Sequence, residues 1–467
     1  MLELKGKKVL VLGLGETGMS MTRWLKRHGA FVSVADTRAH PPHAAALKRE
    51  LPDVVLECGE FRDAAVHAAD LIAISPGVDR RTPAVALAIR RGTPTAGDVE
   101  LFAQALMQLE ARTLPRQSAR ILAVTGTNGK STVTRMAGDM CVSAGLDTVV
   151  AGNIGTPVLD AFTEIENGRP VPAAFVLELS SFQLESTTSL DADAAAMLNL
   201  SEDHLDRYDD IGAYAAAKAR VFNGHGAQVL NREDPRVSAM ALPGRTVQRF
   251  GLDAPADAHD WGIALHGGTR WLARGGKKLM QTGDLPVAGL HNAANALAAG
   301  ALCHAIGVDD ESIANALRTF KGLPHRVEKV AELDSVIYYD DSKGTNVGST
   351  VAALNGLTRP VVLIAGGEGK GQDFAPLREP VMRRARTVVL IGRDREQIAA
   401  ALDGCGVPLV RAADVDQAVQ KARAASVSGD AVLLSPACAS YDMFRNYAHR
   451  GEMFAAAVNK LVQRERR

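Results

Sequence analysis

The chain has 467 residues, too many for one ordinary core, so two or three domains are expected. It is 46% hydrophobic and 23% charged, with 53 basic and 53 acidic residues, a soluble globular balance with no net field to draw nucleic acid. No apolar run approaches the ~20 residues of a membrane span, and five scattered cysteines without a CxxC pair suit a reducing cytoplasm and argue against structural zinc.

The first segment, residues 1–97, begins with Lys5, Lys7 and Lys8 before VLVLGLG. That run is too short and glycine-punctuated for a signal peptide and reads as a first strand, 8–12. Gly13-Leu14-Gly15-Glu16-Thr17-Gly18 follows, then a helix to about residue 27 that stops at Gly29. A second strand, 31–35, ends in Asp36-Thr37-Arg38, an acidic residue at about the spacing of a dinucleotide fingerprint. The pattern supports a nucleoside diphosphate site, with pyrophosphate at the helix start and polar groups for ribose or base. A later strand, 71–74, ends in Ser75-Pro76-Gly77 at the same carboxyl edge.

Residues 107–118 (MQLEARTLPRQS) are largely polar, carry a proline and read as a connecting stretch. The second segment, 98–322, is organised around the next strand, 121–124. It breaks into Thr125-Gly126-Thr127-Asn128-Gly129, and Lys130-Ser131-Thr132 open a helix. Strand, glycine loop, Lys-Ser and helix are the layout of a phosphate cradle. Its glycines admit backbone N–H groups to an anion, Lys130 reaches the outer phosphates, and the Ser131 hydroxyl suits Mg²⁺. The strict motif wants glycine five residues before Gly129; Val124 stands there, so the loop is a shortened variant. Strands then alternate with alanine-rich helices, as in a parallel sheet covered on both faces. Residues 257–283 lack helical period and read as a short β excursion.

The third segment, 323–467, repeats the rhythm, with strands expected at 336–339, 361–365, 388–391 and 431–434. Each runs into a polar or glycine-rich turn, where ligands of such sheets bind. Residues 463–467 read as a frayed charged tail.

Other residues invite chemistry. Glu178 lies inside the apolar strand VLELSS, where a carboxylate needs a cation or a buried salt bridge as partner. SEDHLDRY (201–208) follows a strand expected at 195–200 and gathers Asp203, His204 and Asp206 for metal or general-base work. Tyr214 and Lys218 share one face of a helix expected at 211–222, although a lone lysine in such a helix is usually exposed. His325-Arg326 and Asp341-Ser342-Lys343 add a guanidinium suited to phosphate and an amine suited to an anionic substrate.

Together these motifs resemble the Mur ligases of peptidoglycan synthesis along essentially the whole chain. The carriers are Gly13 to Gly18, TGTNGKST (125–132), GNIG (152–155), LELSSFQLE (177–185), SEDHLDRY, HNAANA (291–296), GLPHR (322–326), DDSKGTN (340–346), GGEGKG (366–371) and SPACAS (435–440). The resemblance implies an α/β protein of three domains. A Rossmann-like N-terminal domain (1–97) takes the UDP substrate. A central P-loop ATPase-like domain with a parallel sheet (98–322) takes ATP. A Rossmann-like C-terminal domain (323–467) closes over ATP and binds the incoming amino acid.

The resemblance further implies ATP-dependent joining of D-glutamate to UDP-N-acetylmuramoyl-L-alanine through an acyl phosphate and a tetrahedral intermediate. Two Mg²⁺ ions are implied, one held by Ser131 and Glu178, the other by His204 and by Lys218 made carboxylate-like through carbamylation. Lys130, His204 and Lys218 are the catalytic set. ATP contacts fall on 126–132 (Gly126, Thr127, Asn128, Gly129, Lys130, Ser131, Thr132) and on Asn292, Asn295, Arg326 and Asp341. UDP-substrate contacts fall on Glu16, Thr17, Asp36, Thr37, Arg38, Ser75 and Gly77, with Asn153 nearer the sugar. D-glutamate contacts fall on Lys343, Thr345, Lys370, Ser440 and Tyr447. Glu16 stands where relatives can have an apolar residue, and Tyr447 where a Phe can occur. A cytoplasmic monomer is expected, with no nucleic-acid or membrane partner. The rival readings are a ligase for another amino acid or for glutamate on a folate, a nucleotide-gated binding protein, and an NAD dehydrogenase built on Gly13 to Gly18.

Overall fold

Strand and helix alternate along the chain and collect into three separate sheets, seen in a computed structural model that describes residues 3–112, 118–204 and 206–465. The first sheet holds β1 (Lys8–Leu12), β2 (Phe31–Asp36), β3 (Val55–Cys58), β4 (Leu71–Ile74) and β5 (Thr95–Ala96). Its order is β3-β2-β1-β4-β5, and every pairing is parallel. The chain reverses direction across the sheet at β1/β4, so the turns after those two strands flank one crevice, where ligands of such sheets sit.

The second sheet holds β6 (Arg120–Thr125), β7 (Thr148–Gly152), β8 (Ala174–Glu178), β9 (Ala194–Met197), β10 (Ala227–Asn231), β11 (Val247–Phe250), β12 (Trp261–His266), β13 (Thr269–Arg274) and β14 (Lys277–Gln281). The order is β14-β13-β12-β11-β10-β9-β6-β8-β7. Pairings are parallel as far as β12; β12 to β14 form the β excursion expected at 257–283, and the structure shows it to be antiparallel. β6 and β8 are buried along almost their whole length, as parallel strands between two helix layers must be.

The third sheet holds β15 (Glu328–Leu333), β16 (Val336–Asp340), β17 (Val361–Gly366), β18 (Ala385–Ile391), β19 (Leu409–Arg411) and β20 (Ala431–Leu434). The order is β15-β16-β20-β17-β18-β19, parallel except for β15 on β16. The α/β three-sheet architecture is the one the sequence implied. Among the described residues, no helix is long and apolar enough to cross a membrane.

Four local expectations are corrected. The stretch 107–118 is not all connection, because 107–112 complete the helix Asp98–Arg112. Val99, Phe102, Ala103 and Leu106 bury one face of that helix, and the polar residues cover the other; residues 113–117 lie outside the described part. The tail is not frayed at 463, because the helix Tyr447–Glu465 runs on. Phe454, Val458 and Val462 form a buried stripe at fourfold spacing, and Glu465 pairs with Arg423 at 2.8 Å; 466–467 are outside the described part, as is Leu205 of SEDHLDRY. The strand expected at 195–200 stops at Met197, and the helix expected at 211–222 is Ile211–Ala219 followed by a 3₁₀ turn, Arg220–Phe222.

The middle domain's excursion supports the site from below. Trp261 is 1% exposed and donates from Nε1 to Gln248 Oε1 at 2.8 Å. A methyl on Gly300 would lie 2.5 Å from Trp261 Cζ3, so the helix Leu290–Ala305 rests directly on the indole. That helix carries Asn292 and Asn295 at its start. Trp261→Ala is expected to destabilise this domain by about 3–5 kcal/mol, read as a lowered denaturant midpoint of its transition.

Candidate active site

Strand register assembles the central site. β6 pairs Val124 with Glu178 and Thr125 with Met197, and β7 pairs Gly152 with Glu178. Four strands therefore end side by side, and the loops beginning at Gly126, Asn153, Leu179 and Leu198 open on one rim. Gly129 is the residue before the helix Lys130–Ser143, at φ 85°, a left-handed conformation that favours glycine. A Cβ there would meet Asn295 Oδ1 at 2.5 Å, which is how the phosphate loop and the Leu290–Ala305 helix come together.

Lys130 Nζ donates to the carbonyls of Gly126 (2.9 Å) and Thr127 (2.8 Å), so two of its three protons hold the loop's shape and one is left for a ligand. Burial pushes its ammonium below the ordinary range, against the pull of Glu178 and Asp203. Lys218 is 1% exposed, which corrects the surface position usual for a lone helical lysine. Its Nζ donates to the same Gly126 carbonyl at 2.9 Å and lies 4.7 Å from the Tyr214 ring centroid. Burial first, and then the Lys130 charge, push this amine well below its usual range. The shift works toward the neutral amine, the form that is a nucleophile.

Glu178 Oε1 accepts from Asn153 Nδ2 at 2.7 Å, while its enclosed Oε2 has no hydrogen-bond partner among the described residues. A buried carboxylate oxygen without a donor fits a cation arriving from the cavity. Ser131 Oγ accepts from an Arg326 Nη2 at 2.7 Å and keeps a lone pair. His204 adopts φ 57°, uncommon for a side-chain-bearing residue, and packs on Phe182 with ring centroids 4.7 Å apart. Burial lowers its pKa and keeps the imidazole neutral, against the nearby Asp203 carboxylate. Hydroxyl, carboxylate and neutral imidazole form a donor set suited to Mg²⁺ or a similar hard cation, with carboxylate and hydroxyl the stronger fit.

Three neighbouring cavities lie here and share lining residues. The central one, about 300 Å³, is lined by Thr127 to Ser131, Asn153, Glu178, His204, Lys218, Arg326, Lys343, Thr345 and Lys370. A second, about 140 Å³, shares Asn128, Gly129, Arg326 and Lys343 with it and adds Thr132, Asn292, Asn295 and Asp341. Burial pushes the Asp341 carboxyl up to about 7, despite its acceptance from Ser435 Oγ at 2.7 Å. The third, about 490 Å³, shares Asn153 with the central cavity and is lined by Glu16, Thr17, Asp36, Thr37, Arg38, Ser75 and Gly77. Ser440 and Tyr447 line none of the three. Ser440 is buried, its carbonyl accepting from Phe444 N at 2.8 Å, and the Tyr447 ring sits 3.9 Å from Lys343 Nζ.

In the third cavity, Asp36 is already engaged. Its oxygens accept from Leu14 N (2.6 Å), Arg38 N (2.9 Å) and Arg38 Nε (2.8 Å). Burial works to raise its pKa, but the Arg38 guanidinium and these backbone N–H groups outweigh it and hold the carboxyl at about 2. A folded-state pKa below the ordinary carboxylate value means that Asp36 adds stability above about pH 4, and that this is lost as pH falls toward 2. Asp36→Asn should raise KM for the UDP-linked substrate about tenfold by freeing Arg38, with kcat kept. Its stability deficit against the parent chain should shrink as melting is followed from pH 6 to pH 2.5.

Sequence reasoning missed Asn346 and Ser349, which line the central cavity from the third domain. The motif DDSKGTN ends on Asn346, yet nothing local says which face of the following helix meets the phosphate loop.

Known proteins align with this geometry. Residues 7–97 match the family description "Mur ligase MurD-like, N-terminal domain", 124–303 "Mur ligase middle domain", and 325–438 "Mur ligase, glutamate ligase domain". A UDP-N-acetylmuramoylalanine–D-glutamate ligase of Thiobacillus denitrificans is 58% identical over 467 residues, covering 99% of this chain and 98% of the relative. One of the same name from Methylobacillus flagellatus is 56% identical, covering 100% and 99%. Among solved structures, the UDP-N-acetylmuramate-alanine ligase of Thermotoga maritima superposes with a TM-score of 0.59 at 18% identity, covering 97% of this chain and 100% of that one. The folylpolyglutamate synthase of Mycobacterium tuberculosis complexed with ADP gives 0.56 at 17%, covering 78% and 95%. At such identities the structural likeness shows the fold.

Proposed function

The chain belongs to the Mur ligase family, and from that premise we infer that it is an ATP-dependent ligase that joins D-glutamate to UDP-N-acetylmuramoyl-L-alanine in peptidoglycan synthesis. The observation that carries the reading is the adjacency of the three cavities, which share Asn153 on one side and Asn128, Gly129, Arg326 and Lys343 on the other. A UDP-sugar in one end and ATP in the other would bring a carboxylate and a γ-phosphate together in the middle. Residues 1–97 would hold the UDP substrate, 98–322 the ATP, and 323–467 the lid and the D-glutamate.

The chemistry explains why cations crowd the centre. An L-alanyl carboxylate must attack an anionic γ-phosphate, and two unit charges ~4 Å apart repel by about 4 kcal/mol at an effective dielectric near 20. Uncorrected, that costs roughly a thousandfold in rate. Lys130 and Arg326 converge on the central cavity and would offset the charge on the transferring phosphoryl group. The carboxylate oxygen bonds to phosphorus and ADP leaves. The D-glutamate nitrogen then attacks the acyl carbon, and phosphate leaves as the amide forms. Lys343, Thr345 and Lys370 face that cavity and would pair with the two carboxylates of D-glutamate. Lys343, its pKa lowered to about 8 mainly by burial, stays largely charged at neutral pH.

Mg²⁺, when bound, would shield the phosphate oxygens. Ser131 and Glu178 are the residues for one ion, His204 and a carbamylated Lys218 for the second. Carbamylation adds CO₂ to the neutral Lys218 amine with loss of one proton, which replaces a second amine beside Lys130 with a carboxylate-like group. A monomer is the proposed state. The nucleotide substrates and five free cysteines suit the cytoplasm.

The test is phosphate release by the purified chain with ATP, Mg²⁺ and UDP-N-acetylmuramoyl-L-alanine, each amino acid being added in turn. D-Glutamate should stimulate release; stimulation by a different amino acid, or by glutamate only with a folate acceptor, would replace this reading with the corresponding relative's.

A further inference from the structure

The third lobe touches the phosphate loop through a compact set of side chains outside the residues assigned above. Asn346 caps the helix Val347–Gly356, its side chain accepting from Ser349 N at 2.8 Å. From this first turn, Ser349 Oγ donates to Asn128 Oδ1 at 2.6 Å, and Asn346 Nδ2 donates to the same oxygen at 3.2 Å and to Asp203 Oδ2 at 3.3 Å. Asn346 is 5% exposed, while its partners Asn128 and Asp203 are half-buried at the cavity wall.

The receiving side is rigid. Asn128 N donates to Asn199 Oδ1 at 2.8 Å, and Asn199 Nδ2 donates back to the Asn128 carbonyl at 3.1 Å. Between Asn346 and Ser349 stands Gly348. A Cβ on it would meet Ser201 Oγ at 2.8 Å and Asn128 Nδ2 at 3.2 Å, so a bare backbone is what permits the approach. Ser201 Oγ is enclosed and has no partner among the described residues, as expected where two surfaces press together.

We propose that Asn346 and Ser349, with Gly348 between them, form a clasp by which the third lobe closes onto Asn128 of the phosphate loop and onto Asp203. They are positioning residues. Arg326 and Lys343 belong to the same lobe, and the clasp sets how far these two cations enter the central cavity. Asp203 directly precedes His204, so the same contact also steadies the loop that presents the imidazole. A phosphate loop displaced from its place would offer Asn128 at the wrong position, and the lobe would not latch. Closure is thereby tied to an ordered loop. The kinetic arm of this inference rests on the ligase reading; the conformational arm does not.

The experiment compares the full parent chain with Ser349→Ala, Asn346→Asp and Gly348→Leu. Asn346→Asp keeps the cap acceptor but replaces the shared donor with a carboxylate facing Asp203. Small-angle scattering is recorded with and without AMP-PNP, Mg²⁺ and UDP-N-acetylmuramoyl-L-alanine. The parent should compact on adding them, Ser349→Ala should compact in part, and Asn346→Asp and Gly348→Leu should stay extended. D-Glutamate-dependent kcat should fall about threefold for Ser349→Ala and roughly 30-fold for Asn346→Asp, with AMP-PNP affinity changed less than about fivefold. Melting curves check folding, and should Gly348→Leu fail to fold, the other two variants decide. Equal compaction of parent and variants, or no compaction of the parent, overturns the clasp. A parent that compacts but gives no turnover with D-glutamate overturns the substrate assignment and leaves the clasp standing.

Discussion

Lys218→Ala should lower D-glutamate-dependent phosphate release by at least about 10³-fold, the order expected when a group that fixes transition-state charge is removed. Nucleotide binding should survive, because the amine reaches the loop through the Gly126 carbonyl, which Lys130 also holds, and through a long 3.5 Å contact to Thr125 Oγ1. Stability should be unchanged or slightly raised, because the substitution removes a buried group whose charged form burial opposes. Loss of rate without loss of melting temperature separates a chemical role from a scaffolding one. Lys218→Arg should fail equally, because a guanidinium cannot take up CO₂. Parent enzyme in CO₂-depleted buffer should slow and recover on adding bicarbonate, and ¹³C-bicarbonate should give a carbamate resonance absent from Lys218→Ala. Retention of a tenth or more of the parent rate by the alanine variant would falsify the assignment.

Lys218 also marks where sequence reading stops. The strand–loop–helix layout around Lys130 was legible because its pattern is local: glycines, Lys130 and Ser131 are adjacent, and strand and helix flank them in order. Glu178 was legible because a carboxylate inside an apolar strand contradicts its surroundings. The helix Ile211–Ala219 carries no such contradiction, since its alanines suit either environment. Only the tertiary packing that buries Tyr214, Ala217 and Lys218 shows the lysine facing inward. Without the family resemblance it would have been left on the surface.

The same distinction explains the remaining misses. Residues 107–112 looked like a connection because one face of a half-buried helix is polar and Pro115 follows closely. β15 escaped notice because its exposed residues Glu328 and Lys329 and its antiparallel pairing fit no βα rhythm. Asn346 and Ser349 meet Asn128 across more than 200 residues of sequence, beyond any local pattern.

Arg326→Ala should produce the second large loss, about 10³-fold in kcat, comparable to other arginines that neutralise a transferring phosphoryl group. The side chain enters the central site from the third lobe, lines both the central and the second cavity, and donates to Ser131 Oγ at 2.7 Å. Its backbone is set with unusual firmness. His325 and Val327 on either side adopt φ 61° and 49°, conformations that side-chain-bearing residues seldom take. His325 is held on three sides: its N–H donates to Glu328 Oε2 at 2.9 Å, its Nδ1 lies 2.7 Å from Asp340 Oδ2, and its carbonyl accepts from Lys343 N at 3.1 Å. A strained turn pinned in this way aims one guanidinium across the domain boundary, and a point charge on a flexible stem does not replace it. Arg326→Lys is therefore expected to recover no more than about a tenth of the lost activity, because lysine lacks the planar fork that grips two oxygens. Ground-state nucleotide affinity should drop by much less than kcat, since the Gly126 to Thr132 loop and the helix bearing Asn292 and Asn295 stay in place. Single-turnover measurements with rapid quench would separate the two, and equal losses in affinity and in the chemical step would assign Arg326 to ATP binding alone.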